Sequence, residues 1–327
     1  MFEDEQEAEN AQRAFEDTIR KCIEGPDLHA RAEGLMYFVR KYSSDPDKSA
    51  EVIPFALAAA ELFKDLNLPM EQFAALWSVA DAHRALSQTS ECLKVCKEAY
   101  GIALENFASK EQAHMLNNIA LGYLDQGEIA AAIANVSLSA QIWKSEDEPL
   151  EAAKALSLLA KVHYEANDFE ESISCHDEAV ELFKDADAHY RVLDSLWRKT
   201  DAQIRFGLWA DALASHDLCL AHQRLLRQNF QKIPIQFNEA RLSAFQKRHE
   251  EALSVLEEII NYWREQKNLE KIALASIEKS KSLYSLGRSA EAAEELRAVL
   301  LVSDGTKFKI NREELTEQLA FIEGKAA

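Results

Sequence analysis

Glycine and proline are scarce in this chain, 9 and 6 among 327 residues. That excludes a loop-rich or collagen-like protein and leaves an ordered, helix-rich one. Cysteine is rarer still. Five residues, an odd number without framework spacing, exclude a disulfide scaffold and fit a reducing cytoplasm. No run of about 18 apolar residues is present to cross a membrane. The start, MFEDEQEAEN, is acidic where a secretory signal would be basic and then apolar. A soluble, cytoplasmic chain with no membrane partner is therefore expected. Positive charge is also short: 37 Lys and Arg face 56 Asp and Glu, a net charge of −19. Direct nucleic-acid binding rests on clustered cations facing phosphates, so it is not expected here.

Catalytic signatures are missing as well. There is no phosphate loop, no HExxH and no dinucleotide fingerprint, and no nucleophile lies near a base in a recognisable triad. No catalytic residue, metal or cofactor is expected, and the chain reads as a non-enzyme. Cys92 and Cys96, one helical turn apart, together with His83 are of the types that suit zinc. They fall on core positions of the repeat described next, and free cysteine is among the most buried residue types, so packing is the expected role. His163, His176 and His216 read the same way. The pairs Glu170-Glu171, Glu250-Glu251 and Glu294-Glu295 read as solvated faces.

What the chain does have is periodicity. From Leu158 to Phe183, LLAKVHYEANDFEESISCHDEAVELF reads as two amphipathic helices joined at Asn167-Asp168, with apolar residues at i, i+3, i+4 and i+7. The unit recurs every forty residues, with starts at Glu33, Phe73, Ala113, Ala153, Leu193, Ile233 and Ala273. Position 8 is always small: Ala80, Ala120, Ala160, Thr200, Ala240 and Ser280. So is position 20: Cys92, Ala132, Ser172, Ala212, Ala252 and Ala292. Position 15 holds Gly127, Asn167, Gly207 and Gly287, which tolerate a left-handed helix exit. Position 31 carries a large anchor, Phe63, Trp143, Phe183 or Trp263. Such a period means stacked supersecondary units rather than one layered core.

These residues resemble the tetratricopeptide repeat. Ala160, Asn167, the run Asp168-Phe169-Glu170-Glu171, Ser172, Ile173 and Ala179 follow its pattern, as does LDQGEIAAAIANV from Leu124 to Val136. The resemblance covers residues 73–303 well and 33–72 poorly. The family's usual period is about 34, so forty implies longer helices. Position 11, a family tyrosine, is here His83, Tyr123, His163, Gln203, Ser243 and Leu283. The resemblance implies an all-α, right-handed α-solenoid of stacked antiparallel helix pairs. Residues 1–72 are expected to hold an N-terminal capping helix (2–24) and a degenerate first repeat. Residues 73–312 are expected to hold six helix pairs, and residues 313–327 a closing helix and tail. Pro149 and Pro234 sit where helices would begin, Pro54 bends or starts one, and Pro26, Pro46 and Pro69 fall in connections.

The resemblance also implies a binding surface, because first helices of this family line a groove through positions 2, 5, 6, 9, 12 and 13. Carried over, those positions are Trp77, Asp81 and Arg84; His114, Asn117, Asn118 and Asp125; Lys154, Lys161 and Tyr164; Trp197, Arg198, Asp201 and Arg205; Phe237, Asn238, Arg241 and Phe245; Lys281 and Tyr284. The set is richer in aromatics than the chain's 9%, and Trp, Tyr and Arg dominate interface energetics. Asn118 and Asn238 have carboxamides that both donate and accept, as a peptide backbone requires. A protein or peptide held in this groove is the expected partner. The alternatives are a peptide-sensing regulator that changes curvature on binding, and an inhibitor that uses its acidic outer face against a basic protein.

Overall fold

The structure is a computed structural model that describes residues 16–17, 19–43, 45–226, 231–303 and 312–324. The helix expected over residues 2–24 therefore lies largely outside the described residues, as does the tail from residue 325. Among the described residues every α or β element is a helix. In order they are α1 (Leu28–Tyr42), α2 (Ser49–Asp65), α3 (Pro69–Ala85), α4 (Thr89–Glu105), α5 (Ser109–Asp125), α6 (Ile129–Ser145), α7 (Pro149–Glu165), α8 (Phe169–Asp185), α9 (His189–Phe206), α10 (Trp209–Leu226), α11 (Lys232–Phe245), α12 (His249–Glu265), α13 (Leu269–Ser285), α14 (Ser289–Ser303) and α15 (Arg312–Ile322). A 3₁₀ turn, Pro46–Lys48, precedes α2. None of these helices is long and apolar enough to cross a membrane.

The forty-residue period has a twenty-residue half. Most helices are 17 residues long and are joined by three-residue turns. The middle residue of each three-residue turn is left-handed: Asn67, Ser87, Phe107, Gly127, Asp147, Asn167, Asp187, Lys247, Lys267 and Gly287 have positive φ, as does Gly207 in the two-residue turn between α9 and α10. At the first of these turns the Leu68 amide donates to the Phe63 carbonyl (2.9 Å) and the Asn67 amide to that of Lys64 (3.0 Å). That is a Schellman motif. The Leu68 carbonyl then accepts from Gln72 (3.0 Å), opening the next helix. One residue thus closes one helix and starts another, so the turn cannot lengthen without breaking the register.

Phe107 is the odd member of this series. Its φ is +55° and its side chain is 89% exposed, so it bears the steric cost of a left-handed residue and gains no packing. Phe107→Asn is expected to raise the free energy of unfolding by about 1 kcal/mol. A urea midpoint that fails to rise would contradict this.

The helices form two compact units, Met1–Ala166 and Asn167–Ala327, a division that falls inside the six-repeat stretch. Within each unit, consecutive helices pack against one another, and the short turns make them antiparallel. The small residues at positions 8 and 20, from Ala80 and Cys92 through Ser280 and Ala292, are all buried. They let helix backbones approach. At Gly122 an added Cβ would stand 3.2 Å from Leu93 Cδ1. The anchors Phe63, Trp143 and Phe183 are among the largest fully buried side chains, while Trp263 is half-buried.

The core of the first unit runs through Ala56, Phe63, Phe73, Val79, Cys96 and Met115. That of the second includes Leu256, Ile260, Ile272, Leu296 and Leu315. Helix α15 closes the second unit by burying Leu315 and Ile322. Pro69 departs from expectation. It is the first residue of α3, where its missing N–H has no intrahelical partner to lose. Pro54 lies inside α2.

Candidate functional site

In the first unit the groove positions bond chiefly to one another. Trp77 Nε1 donates to Asp81 Oδ2 (3.0 Å). Arg84 donates to Asp81 Oδ1 (2.6 Å) and to Asn118 Oδ1 (2.8 Å). Burial raises the pKa of the Asp81 carboxyl, with Arg84 and the Trp77 indole opposing it. His114 lies 4.9 Å from the Trp77 ring and meets Trp143 edge-on at 4.7 Å; burial lowers its pKa. Asn117 keeps a buried Oδ1 with no hydrogen-bond partner among the described residues. Lys154 pairs with Glu151 (2.5 Å), Lys161 is exposed and Tyr164 is half-buried.

In the second unit the same register builds a cleft. Arg205 from α9, Phe237 and Arg241 from α11, and Leu274, Ile277, Glu278 and Lys281 from α13 line it, with Glu314 from α15. Its volume is about 110 Å³. Phe237, Leu274 and Ile277 are apolar, and the other lining residues are charged. Arg241 is bound to Asp201 in an ion pair whose side chains are only 11% and 17% exposed, and its guanidinium lies 5.7 Å from the Phe237 ring. Losing either partner of so buried a pair would strand a charge in low dielectric. Lys281 pairs with Glu278 at 2.9 Å.

Around the cleft, the Trp197 indole donates to Asp194 (3.1 Å), and the Arg198 guanidinium both contacts Asp194 (3.3 Å) and covers the Trp197 ring at 4.4 Å. Asn238 is buried, 2% exposed, and its Nδ2 donates to the Trp197 carbonyl (2.9 Å). Its amide hydrogen therefore joins α11 to α9. Phe245 stacks in parallel on Trp209 at 4.3 Å, and Tyr284 packs against Phe321 of α15 at 5.2 Å.

The structure thus brings Arg205, Phe237, Arg241 and Lys281 together. Asn118 and Asn238 are engaged with other groups of the protein. Leu274, Ile277 and Glu278 occupy the expected register, but neither aromatic nor Asn content singled them out. Glu314 lies outside the repeats, so the register could not point to it.

Cys92, Cys96, Cys219, His176 and His216 are buried. Cys92 Sγ lies 3.4 Å from the Ala80 carbonyl and 4.0 Å from Cys96 Sγ. The Cys92 contact, with burial, raises the Cys96 pKa. His83 Nδ1 is 2.6 Å from Gln88 Oε1. Among the described residues no group of three or more His, Cys, Asp or Glu is placed to hold a metal ion. Burial pushes the Cys219 thiol up to about 12. His176 is buried, with Nδ1 unpartnered among the described residues, and burial followed by the charges of Arg198 and Lys199 lowers its pKa to about 3. Both ring nitrogens of His216 are likewise unpartnered.

The family model of the tetratricopeptide repeat matches residues 111–185. A comparison with curated protein sequences gives no match. Among solved structures, aspartyl phosphate phosphatase F from Bacillus subtilis is similar with a TM-score of 0.67 at 14% identity, over 84% of this chain and 72% of its own. The apo form of RapI gives 0.68 at 13%, over 86% and 98%. A Rap protein complexed with competence and sporulation factor gives 0.61 at 14%, over 93% and 81%. At these identities the likeness concerns the fold. Residues 111–185 thus carry tetratricopeptide repeats, within a chain whose helix pairs recur every forty residues.

Proposed function

We propose that this chain is a non-enzymatic interaction protein whose second unit holds a short segment of a partner protein, or a peptide, in the cleft of α9, α11 and α13. One observation carries the reading. Seven of the eight lining residues fall at positions 2, 5, 6, 9 and 13 of first helices, so the repeat itself generates the cleft. A cleft of about 110 Å³ suits one aliphatic side chain on Phe237, Leu274 and Ile277. The segment's carboxylates would then meet Arg205 and Lys281, and its amino groups Glu278 and Glu314. The lining contains no Ser, Cys or His, and so offers no Ser–His or Cys–His pair. With a net charge of −19, a protein or peptide fits better than a nucleic acid.

Arg205 and Lys281 are exposed, so reversing them leaves the core intact. Peptides selected on the full chain from a displayed random library should share an aliphatic residue near an acidic one. They should bind the Arg205→Glu/Lys281→Glu variant at least tenfold more weakly. Equal affinity for both proteins would contradict the proposal. A second reading, a regulator that changes curvature on binding, is favoured by the similarity to the Rap protein complexed with competence and sporulation factor. Scattering profiles that change when such a peptide is added would support it. Identical profiles would favour a rigid scaffold.

A further inference from the structure

Helix α10 breaks the pattern of the outward-facing helices around it. Its inward face buries Ala212, Ser215, His216 and Cys219. Its outward face carries Ala214, Leu218, Ala221 and Leu225, all exposed, with Leu218 at 51% and Leu225 at 72%. At the register of Leu218 the neighbouring repeats have Glu178 and Glu258. At that of Leu225 they have Asp185 and Glu265, and at that of Ala221 they have Glu181 and Asn261. In the flanking second helices α8 and α12 these positions carry Glu, Asp or Asn. In α10 alone among these three helices they form an apolar stripe, and a helix apolar on both sides normally has something packed on each.

The stripe advances by four, three and four residues, the seam spacing of a coiled coil. It is also complementary to itself. Let a two-fold axis cross α10 between Cys219 and Leu220, with a second α10 antiparallel. Leu218 then meets the partner subunit's Ala221, and Leu225 meets the partner subunit's Ala214, a large residue on a small one in every layer. Asp217 and Arg224, both exposed, flank the seam seven residues apart, too far to pair along their own helix. In the antiparallel dimer each lies beside its opposite from the other copy, so the pair forms twice. An isologous interface requires such self-complementarity.

We infer that α10 is the interface of a homodimer, two copies pairing antiparallel along Ala214, Leu218, Ala221 and Leu225. One helix pair falls towards the low end of the roughly 1,200–2,000 Å² of stable interfaces, so the dimer dissociates on dilution. This surface lies on second helices and stands independently of the cleft on first helices.

Sedimentation equilibrium of the full chain, from micromolar to sub-millimolar concentration, tests it. The wild-type chain should pass from monomer to dimer. Leu218→Asp/Leu225→Asp should remain monomeric with unchanged helical content. Asp217→Arg, which sets like charges face to face twice, should raise the dissociation constant about tenfold. Adding Arg224→Asp to it should restore wild-type affinity, a rescue that a folding defect would not give. A wild-type chain monomeric throughout, a dimer that survives both leucine substitutions, or a charge swap without rescue would overturn the inference.

Discussion

Replacing Trp143 by alanine should destabilise the first unit by about 4 kcal/mol, whereas phenylalanine at the same place should cost less than about 1.5 kcal/mol. Trp143 is the largest of the fully buried side chains, on the inward face of α6. Truncation would leave a cavity that helices locked by three-residue turns cannot close, and it would remove the ring against which His114 packs edge-on. Phenylalanine keeps most of that volume. It also removes a liability, because the indole Nε1 is buried with no hydrogen-bond partner among the described residues, and an orphaned donor carries its full desolvation cost. Urea midpoints of the two variants test the account. A phenylalanine variant as unstable as the alanine one would mean that the indole hydrogen has a partner or that the ring's shape is critical. An alanine variant within about 1 kcal/mol of wild type would mean that the site is not closely packed.

Acid should loosen the second unit through His176. In the folded chain its pKa lies at about 3, because burial and the nearby charges of Arg198 and Lys199 disfavour the imidazolium; in the unfolded chain it returns to about 6.5. The unfolded state then binds the proton first as pH falls. His176 is neutral in both states above pH 6.5 or so and costs nothing there, and stability is lost progressively between that value and about 3. At pH 4 the loss from this residue alone is about 3 kcal/mol. His216, whose pKa burial also lowers against the opposing charges of Glu239 and Asp217, adds in the same direction. His176→Phe should remove this residue's share of the acid limb, while the carboxylates that titrate in the same range affect both proteins alike. Repeat arrays open locally, so amide exchange in α8 and α9 should quicken first. Acid limbs that run parallel in wild type and His176→Phe would contradict the assignment.

Much of the fold was legible because the physics behind it is local and repeated. Small side chains at positions 8 and 20 are needed wherever two helices touch, so they recur in the sequence and all prove buried. The turns were legible in part. Gly127, Asn167, Gly207 and Gly287 announce a left-handed residue by their type. Ser87, Phe107, Asp147, Asp187, Lys247 and Lys267 adopt the same conformation because the Schellman bonds and the packing of the flanking helices impose it. Pro69 was misread for a related reason: proline opens a helix as readily as it interrupts one.

The site was less legible. Register alone placed Arg205, Phe237, Arg241 and Lys281 on one surface, and the second unit gathers them into one cleft. Register cannot say where a side chain's own hydrogen bonds go. The Asn238 amide is engaged by the Trp197 carbonyl and the Asn118 carbonyl by Arg84, two links between first helices of successive repeats. Glu314 reaches the cleft only because α15 folds back to cover Leu315, a tertiary event with no periodic signature.

The proposed cleft is tested most directly by amide hydrogen exchange on the full chain, with and without a peptide selected on it. Slowed exchange concentrated in residues 193–206, 232–245 and 269–285, and abolished by Arg205→Glu/Lys281→Glu, is the predicted result. Protection on α8, α12 and α14 instead, with those three segments unchanged, would place the binding surface on the outer helices and contradict the account.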